Sequence, residues 1–154
     1  MFRSKKLSKL SIINHGFFNK KGGVSKGIYR NLNCGIGSKD KKVDIQKNLK
    51  IVKQKICKNS KEIFLSKQTH SNKLLFIKNT SKINNRRLNA DAIITDKKEF
   101  PIAVLTADCV PILICDSKKK MIAAIHAGWK GAYKGIVQKV LNFMFTKGCS
   151  SKDI

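Results

Sequence analysis

Between Phe100 and Ala127 the chain reads FPIAVLTADCVPILICDSKKKMIAAIHA, apolar and β-branched runs parted only by short polar breaks. Such runs do not alternate apolar with polar residues, so they suit strands buried on both faces. PIAVLTADC and PILICD read as buried strands interrupted at Asp108–Pro111, and MIAAIHA reads as a further one. Pro101, Asp108 and Pro111 also leave residues 100–115 too broken and too short to span a membrane.

Helical periods flank these runs. SKDKKVDIQKNLKIVKQKI carries Ile45, Leu49, Val52 and Ile56 at helical spacing, with Asp40 as the expected N-cap. After Gly131 a second helix is expected, with Ile136, Val140 and Met144 in one line. Shorter strands are expected at residues 12–18, in EIFLSKQTH ending at His70, in KLLFIKN and in ADAIITD; residues 79–90 read as a loop. Strands covered on both faces, mixed with helices, predict an α/β or α+β layered fold. No repeat or linker divides the chain, so residues 1–154 read as one domain. The end at TKGCSSKDI, soon after the second helix, reads as a domain lacking its C-terminal part.

The net charge is +24. That balance raises nucleic acid as a partner. The charge is nearly all lysine, however, spread along the whole chain, and the only arginines are Arg3, Arg30, Arg86 and Arg87. Arginine is the better fork for phosphate and base edges. The expectation is weak, salt-dependent affinity for polyanions and no specific nucleic-acid partner. Five cysteines, an odd number without CxxC spacing, argue against a disulfide framework and for a cytoplasmic setting.

The chain holds only three histidines, His15, His70 and His126. His70 closes KQTH, Cys109 closes TADC and His126 closes AAIH, each at an expected strand end. Two imidazoles and a thiolate form a reasonable zinc set with a fourth position open. Asp108, beside Cys109, is a candidate general base or a partner for a histidine ring. The spacing is long, and it leaves other readings open. A buried cysteine is commonly a small hydrophobe, and a lone histidine commonly bonds a carbonyl; His15, before a glycine in NHGFF, reads as a site residue or, with slightly more weight, as a strand-end histidine. KKGGVSKG offers converging amides and lysine charge as an anion nest, but also reads as an ordinary connection. Trp129, beside two glycines, reads as a stacking surface or as a packing anchor.

HGFFNKKGGVSKGIYRNLNCG, KQTHS, ADAIITD, LTADCVPILICD and AAIHAGWKG, in this order, resemble the YfiH-like family of laccase-domain, or multicopper polyphenol oxidase, proteins. Its members are regarded as purine nucleoside phosphorylases. The resemblance runs from about residue 12 to residue 145. It implies an α+β fold, an α/β/β/α layered sandwich with mixed sheets. It implies zinc held by His70, Cys109 and His126. It implies phosphorolysis of adenosine, inosine and S-methyl-5′-thioadenosine, together with adenosine deamination. On this reading purine nucleosides and phosphate are the partners. Asp108, Lys130 and Asn33 are the catalytic candidates, and Lys21, Ser25, Asn33 and Lys130 the phosphate-binding candidates. Family members carry arginine where Lys20 or Lys21 and Lys130 stand here, and serine in place of Asn31. Lysine keeps the charge and loses the bidentate fork, so weaker phosphate affinity is expected. Family chains also continue well past the end of this one. Copper is the alternative metal, since two histidines and a cysteine are also the blue-copper set. That reading asks for an axial methionine, and Met121 lies on the same expected strand as His126. The remaining alternative is an inactive, basic, polyanion-binding remnant.

Overall fold

The computed structural model describes residues 1–78 and 88–154. It divides into two compact units, Met1–Ile63 and Phe64–Ile154. No helix among the described residues is long and apolar enough to cross a membrane.

The first unit holds two short 3-10 turns, Leu7–Lys9 and Gly27–Tyr29, and the helix α1, Lys42–Ile56. α1 buries Ile45 and Asn48, and Leu49, Val52 and Ile56 lie half-buried along the same side. Asn48 is fully buried and organises the glycine-rich loop. Its Oδ1 accepts the Val24 amide at 2.8 Å, and its Nδ2 reaches Ser25 Oγ and the carbonyls of Asn31 and Asn33. Gly23 meets the opposite limb of this loop so closely that a β-carbon would lie 2.3 Å from the Asn31 carbonyl oxygen. A bare backbone is therefore required there.

The second unit is α+β with mixed sheets. A four-stranded sheet has the order β2 (Leu74–Ile77), β3 (Ala92–Thr95), β6 (Met121–Ala127), β5 (Val110–Asp116). β2 and β3 are parallel; β6 runs antiparallel to both of its neighbours. A second, two-stranded parallel sheet joins β1 (Phe64–Leu65) to β4 (Ile102–Ala103). The short helix α2, Trp129–Tyr133, leads through Gly135, at φ 69°, into α3, Ile136–Thr146. Ile136, Val140 and Met144 of α3 pack on Ala92, Ile94, Met121, Ala123 and Ile125 of the sheet. Fully burying side chains of the larger kinds stabilises by about 1.5–3 kcal/mol each. On the opposite face Ile93 and Ala124 are also buried, and β4 packs against β3 and β6. Within this unit the layers are therefore helix, mixed sheet and small sheet. The buried carboxylate of Asp116 ties the β5–β6 hairpin to the chain after α3, accepting the Lys119 amide at 2.7 Å and the Ser150 amide at 3.0 Å.

Four expectations are corrected. Residues 12–18 form no strand; Phe17 makes a single bridge with Phe2, and His15 spends its Nε2 on the Ser4 amide at 2.8 Å. Asp40 is not the N-cap, since α1 begins after Lys41 and the Asp40 carboxylate accepts instead from Asn33 Nδ2. The strand expected through His70 stops at Leu65, because the amides of Thr69, His70 and Ser71 turn to the Asp91 carboxylate. The strand expected through Cys109 stops at Ala103. There the Gln68 side chain takes both the Leu105 carbonyl and the Leu105 amide, where a neighbouring strand would otherwise pair. Of the loop expected over residues 79–90, residues 79–87 lie outside the described residues.

Candidate metal centre

His126 enters the site from the interior strand β6, where Pro111 of β5 pairs with it on one side and its amide donates to the Asp91 carbonyl on the other. Its ring is buried and its Nδ1 lies 2.8 Å from Asp91 Oδ1. Cys109 stands in the bend just before β5, and His70 in the bend after the Lys67–Asn89 bridge, at φ 56°. The ligand atoms of His70, Cys109 and His126 all lie within 4.8 Å of one another. The two imidazoles meet edge to face, with centroids 4.9 Å apart.

The residues fit a metal ion on two grounds besides the donor types. The first is Gly128. A β-carbon there would lie 2.8 Å from His70 Cδ2, 3.1 Å from Cys109 Sγ and 3.6 Å from His126 Cε1. The main chain thus closes a cup that any side chain would fill. The second is Asp91, fully buried, whose carboxylate reaches the ring of His126 and the backbone of His70 together. Burial pushes the Asp91 carboxyl up, but hydrogen bonds from Ser71 and His126 outweigh it and hold the group below its usual range. Burial also raises the Cys109 thiol, and the negative charges of Asp108 and Asp91 push the same way. A bound cation reverses that tendency and favours the thiolate. The three donors can therefore hold a metal ion.

Gln68 and Gly131 complete the frame. Gln68 clamps Leu105, on the segment that leads to Cys109, to the loop that carries His70. Gly131 brings α2 against that loop, where a β-carbon would lie 2.8 Å from the Ser71 carbonyl oxygen. Asn72 Nδ2 donates to the Lys134 carbonyl at 2.9 Å from the same loop.

The other sequence candidates divide between the units. Asp108 is exposed beside Cys109. The histidine-ring partner considered for it is Asp91 instead. Lys130 is exposed at the start of α2, its ammonium 5.3 Å from the Trp129 ring centroid, and Trp129 itself is 74% exposed, a surface residue rather than a packing anchor. In the first unit Lys21 is exposed. Ser25 is buried, with its Oγ accepting from Asn48. Asn33 donates to Ser38 and Asp40 and accepts the Gly35 amide. Several amides of the glycine-rich loop are also spent internally: Lys21 on Asn19, Val24 on Asn48 and Ser25 on Asn31. Asp91, Gln68 and Asn48 do not stand out in the sequence, whereas Gly128 does, as part of the Ala127–Gly128 pair that leaves room beside His126. The signal of the first three is only their place inside quoted words such as ADAIITD and KQTHS.

The chain belongs to the family described as multi-copper polyphenol oxidoreductase laccase, whose model matches residues 14–154. It is 34% identical over 155 residues to the purine nucleoside phosphorylase of Bacteroides thetaiotaomicron, a match that covers 96% of this chain and 57% of that protein. It is 30% identical over 146 residues to purine nucleoside phosphorylase YlmD of Bacillus subtilis, covering 90% of this chain and 52% of that protein. Among solved structures it matches the hypothetical protein YfiH of Bacillus licheniformis with a TM-score of 0.79 and 25% identity, over 87% of this chain and 53% of that one. The chain spans about half the length of these relatives.

Proposed function

We propose that this chain carries the zinc-binding part of a purine nucleoside phosphorylase that also deaminates adenosine. The observation that carries the reading is the convergence of the His70, Cys109 and His126 ligand atoms within 4.8 Å, closed by the bare backbone of Gly128. The names of the relatives support the substrate class. Zinc is the metal chosen, because two imidazoles and one thiolate leave a fourth position open for catalysis. When bound there it supplies Lewis acidity.

In phosphorolysis the C1′–N9 bond of the nucleoside breaks and a C1′–O bond to phosphate forms. Adenosine, inosine and S-methyl-5′-thioadenosine share that bond. Asp108, exposed next to Cys109, is assigned the proton that the departing base takes up. Phosphate is assigned to Lys130, the candidate in the unit that holds the metal centre. Its exposed ammonium group brings the charge; the other phosphate candidates belong to the first unit, where Lys21 is exposed, Ser25 Oγ accepts from Asn48 and Asn33 Oδ1 accepts the Gly35 amide. In deamination a water oxygen bonds C6, the C6–N bond breaks and the amino group leaves as ammonia, with Asp108 assigned the proton transfer.

Copper is the alternative that the family description carries. Met121, its candidate axial ligand, is buried in the core with its sulfur 3.9 Å from Cys149 Sγ, which does not favour it. The test is product analysis of adenosine incubated with the pure protein, with and without phosphate, beside Cys109→Ala. Adenine and ribose 1-phosphate only with phosphate, and only in the unmutated chain, are expected, with inosine as the deamination product. No phosphate-dependent product, or equal product from Cys109→Ala, contradicts the reading.

A further inference from the structure

Asp91 is a fully buried carboxylate just before the interior strand β3, and its carboxylate bonds to the loop and strand that carry the two histidines. Its Oδ1 accepts the His70 amide at 3.0 Å and faces His126 Nδ1 at 2.8 Å. Its Oδ2 accepts the Ser71 amide at 2.7 Å and the Ser71 hydroxyl at 2.6 Å, and the Thr69 amide lies 3.1–3.2 Å from both oxygens. Its carbonyl accepts the His126 amide at 2.7 Å. All the backbone and hydroxyl partners on the carboxylate are donors, so a carboxylate, which only accepts, satisfies them. His126 Nδ1 must then donate as well, which leaves the lone pair of a neutral ring on Nε2.

We propose that Asp91 is a positioning residue for the metal centre. It fixes the Nδ1–H tautomer of His126, so that Nε2 meets the ion, and it pins the bend that presents His70. One buried carboxylate thus places both imidazoles before an ion arrives. This rests on the metal reading above. Outer partners of this kind commonly contribute about 10–100-fold in metal affinity.

The test uses the whole chain and zinc alone. Zinc affinity is measured by chelator competition for the unmutated protein, Asp91→Asn, Asp91→Ala and Asp116→Asn. Asp116→Asn removes a buried carboxylate remote from the histidines and controls for loss of stability. The expected result is about 10–100-fold weaker zinc binding in both Asp91 variants and unchanged binding in Asp116→Asn. Long-range proton–nitrogen NMR of the metal-free, unmutated protein is expected to show His126 protonated on Nδ1, a readout that stands even if the variants fail to fold. Zinc binding by Asp91→Ala as tight as normal, or a His126 ring protonated on Nε2, overturns the proposal. An unmutated chain that binds no zinc contradicts the metal reading itself, a different outcome from normal binding that Asp91 does not affect.

Discussion

A β-carbon on Gly128 would stand 3.1 Å from the Cys109 sulfur, closer than ordinary van der Waals contact allows. Gly128 sits at φ −71° and ψ 161°, a conformation open to any residue. The need for glycine is therefore local to the cup and not to the backbone. In Gly128→Ala the methyl must displace His70 or Cys109. Overpacking of this kind costs about 1–3 kcal/mol, and about 1.4 kcal/mol is tenfold in affinity. Zinc affinity should fall about tenfold or more while the far-ultraviolet circular dichroism spectrum stays unchanged. Unaltered zinc affinity in a folded Gly128→Ala protein would show that the cup does not bind the ion.

Asn48→Ala should destabilise the first unit strongly. The change leaves the Val24 amide and the Asn33 carbonyl without their side-chain partner, and takes one of two partners from Ser25 Oγ and the Asn31 carbonyl. A buried polar group left without a partner costs about 1–3 kcal/mol, so a loss of about 3 kcal/mol or more is expected. Urea unfolding followed at the loop, for example by hydrogen exchange of the Val24 amide, measures it. A loss below about 1 kcal/mol would mean that water replaces the asparagine freely.

Asp116 gives the chain an acid-sensitive clasp. Burial raises its carboxyl, but the amides of Lys119 and Ser150 and the Cys149 thiol outweigh burial and hold it below the ordinary value. A depressed native pKa adds stability above the unfolded value, about 3.9 for aspartate, and that stability fades as pH falls through the native value. The unmutated protein should therefore exceed Asp116→Asn in stability at pH 7. The gap should narrow only below about pH 4. Urea melts of both proteins from pH 7 to pH 3 test this. A gap that is constant over the range, or that closes near neutral pH, contradicts it.

The strands at the centre of the sheet were legible because their apolar runs are long enough to bury both faces. β6 coincides with MIAAIHA and β5 with PILICD plus Val110, and the Ile136–Val140–Met144 line of α3 is its buried stripe. The segments around His70 and Cys109 carry strand-like words yet leave the strand at Leu65 and Ala103, for one physical reason. Side chains of Asp91 and Gln68, distant in sequence, take the backbone groups that a ladder would use. The three ligands stand out because histidine is scarce here and each of the three closes an expected strand. Asp91 does not, because its partners are mostly main-chain amides about twenty residues away and an amide leaves no trace in sequence. Asn48 was hidden likewise on the buried side of a helix whose apolar period looked complete without it.

The central claim is that His70, Cys109 and His126 hold one zinc ion with a position left open. X-ray absorption at the zinc edge, on protein reconstituted with one equivalent of zinc, tests it most directly. The account predicts one sulfur at about 2.3 Å and two imidazole nitrogens at about 2.0–2.1 Å, with a light-atom ligand completing the set. The sulfur should be absent from Cys109→Ala. A spectrum without sulfur, with several sulfurs, or unchanged in Cys109→Ala would contradict it.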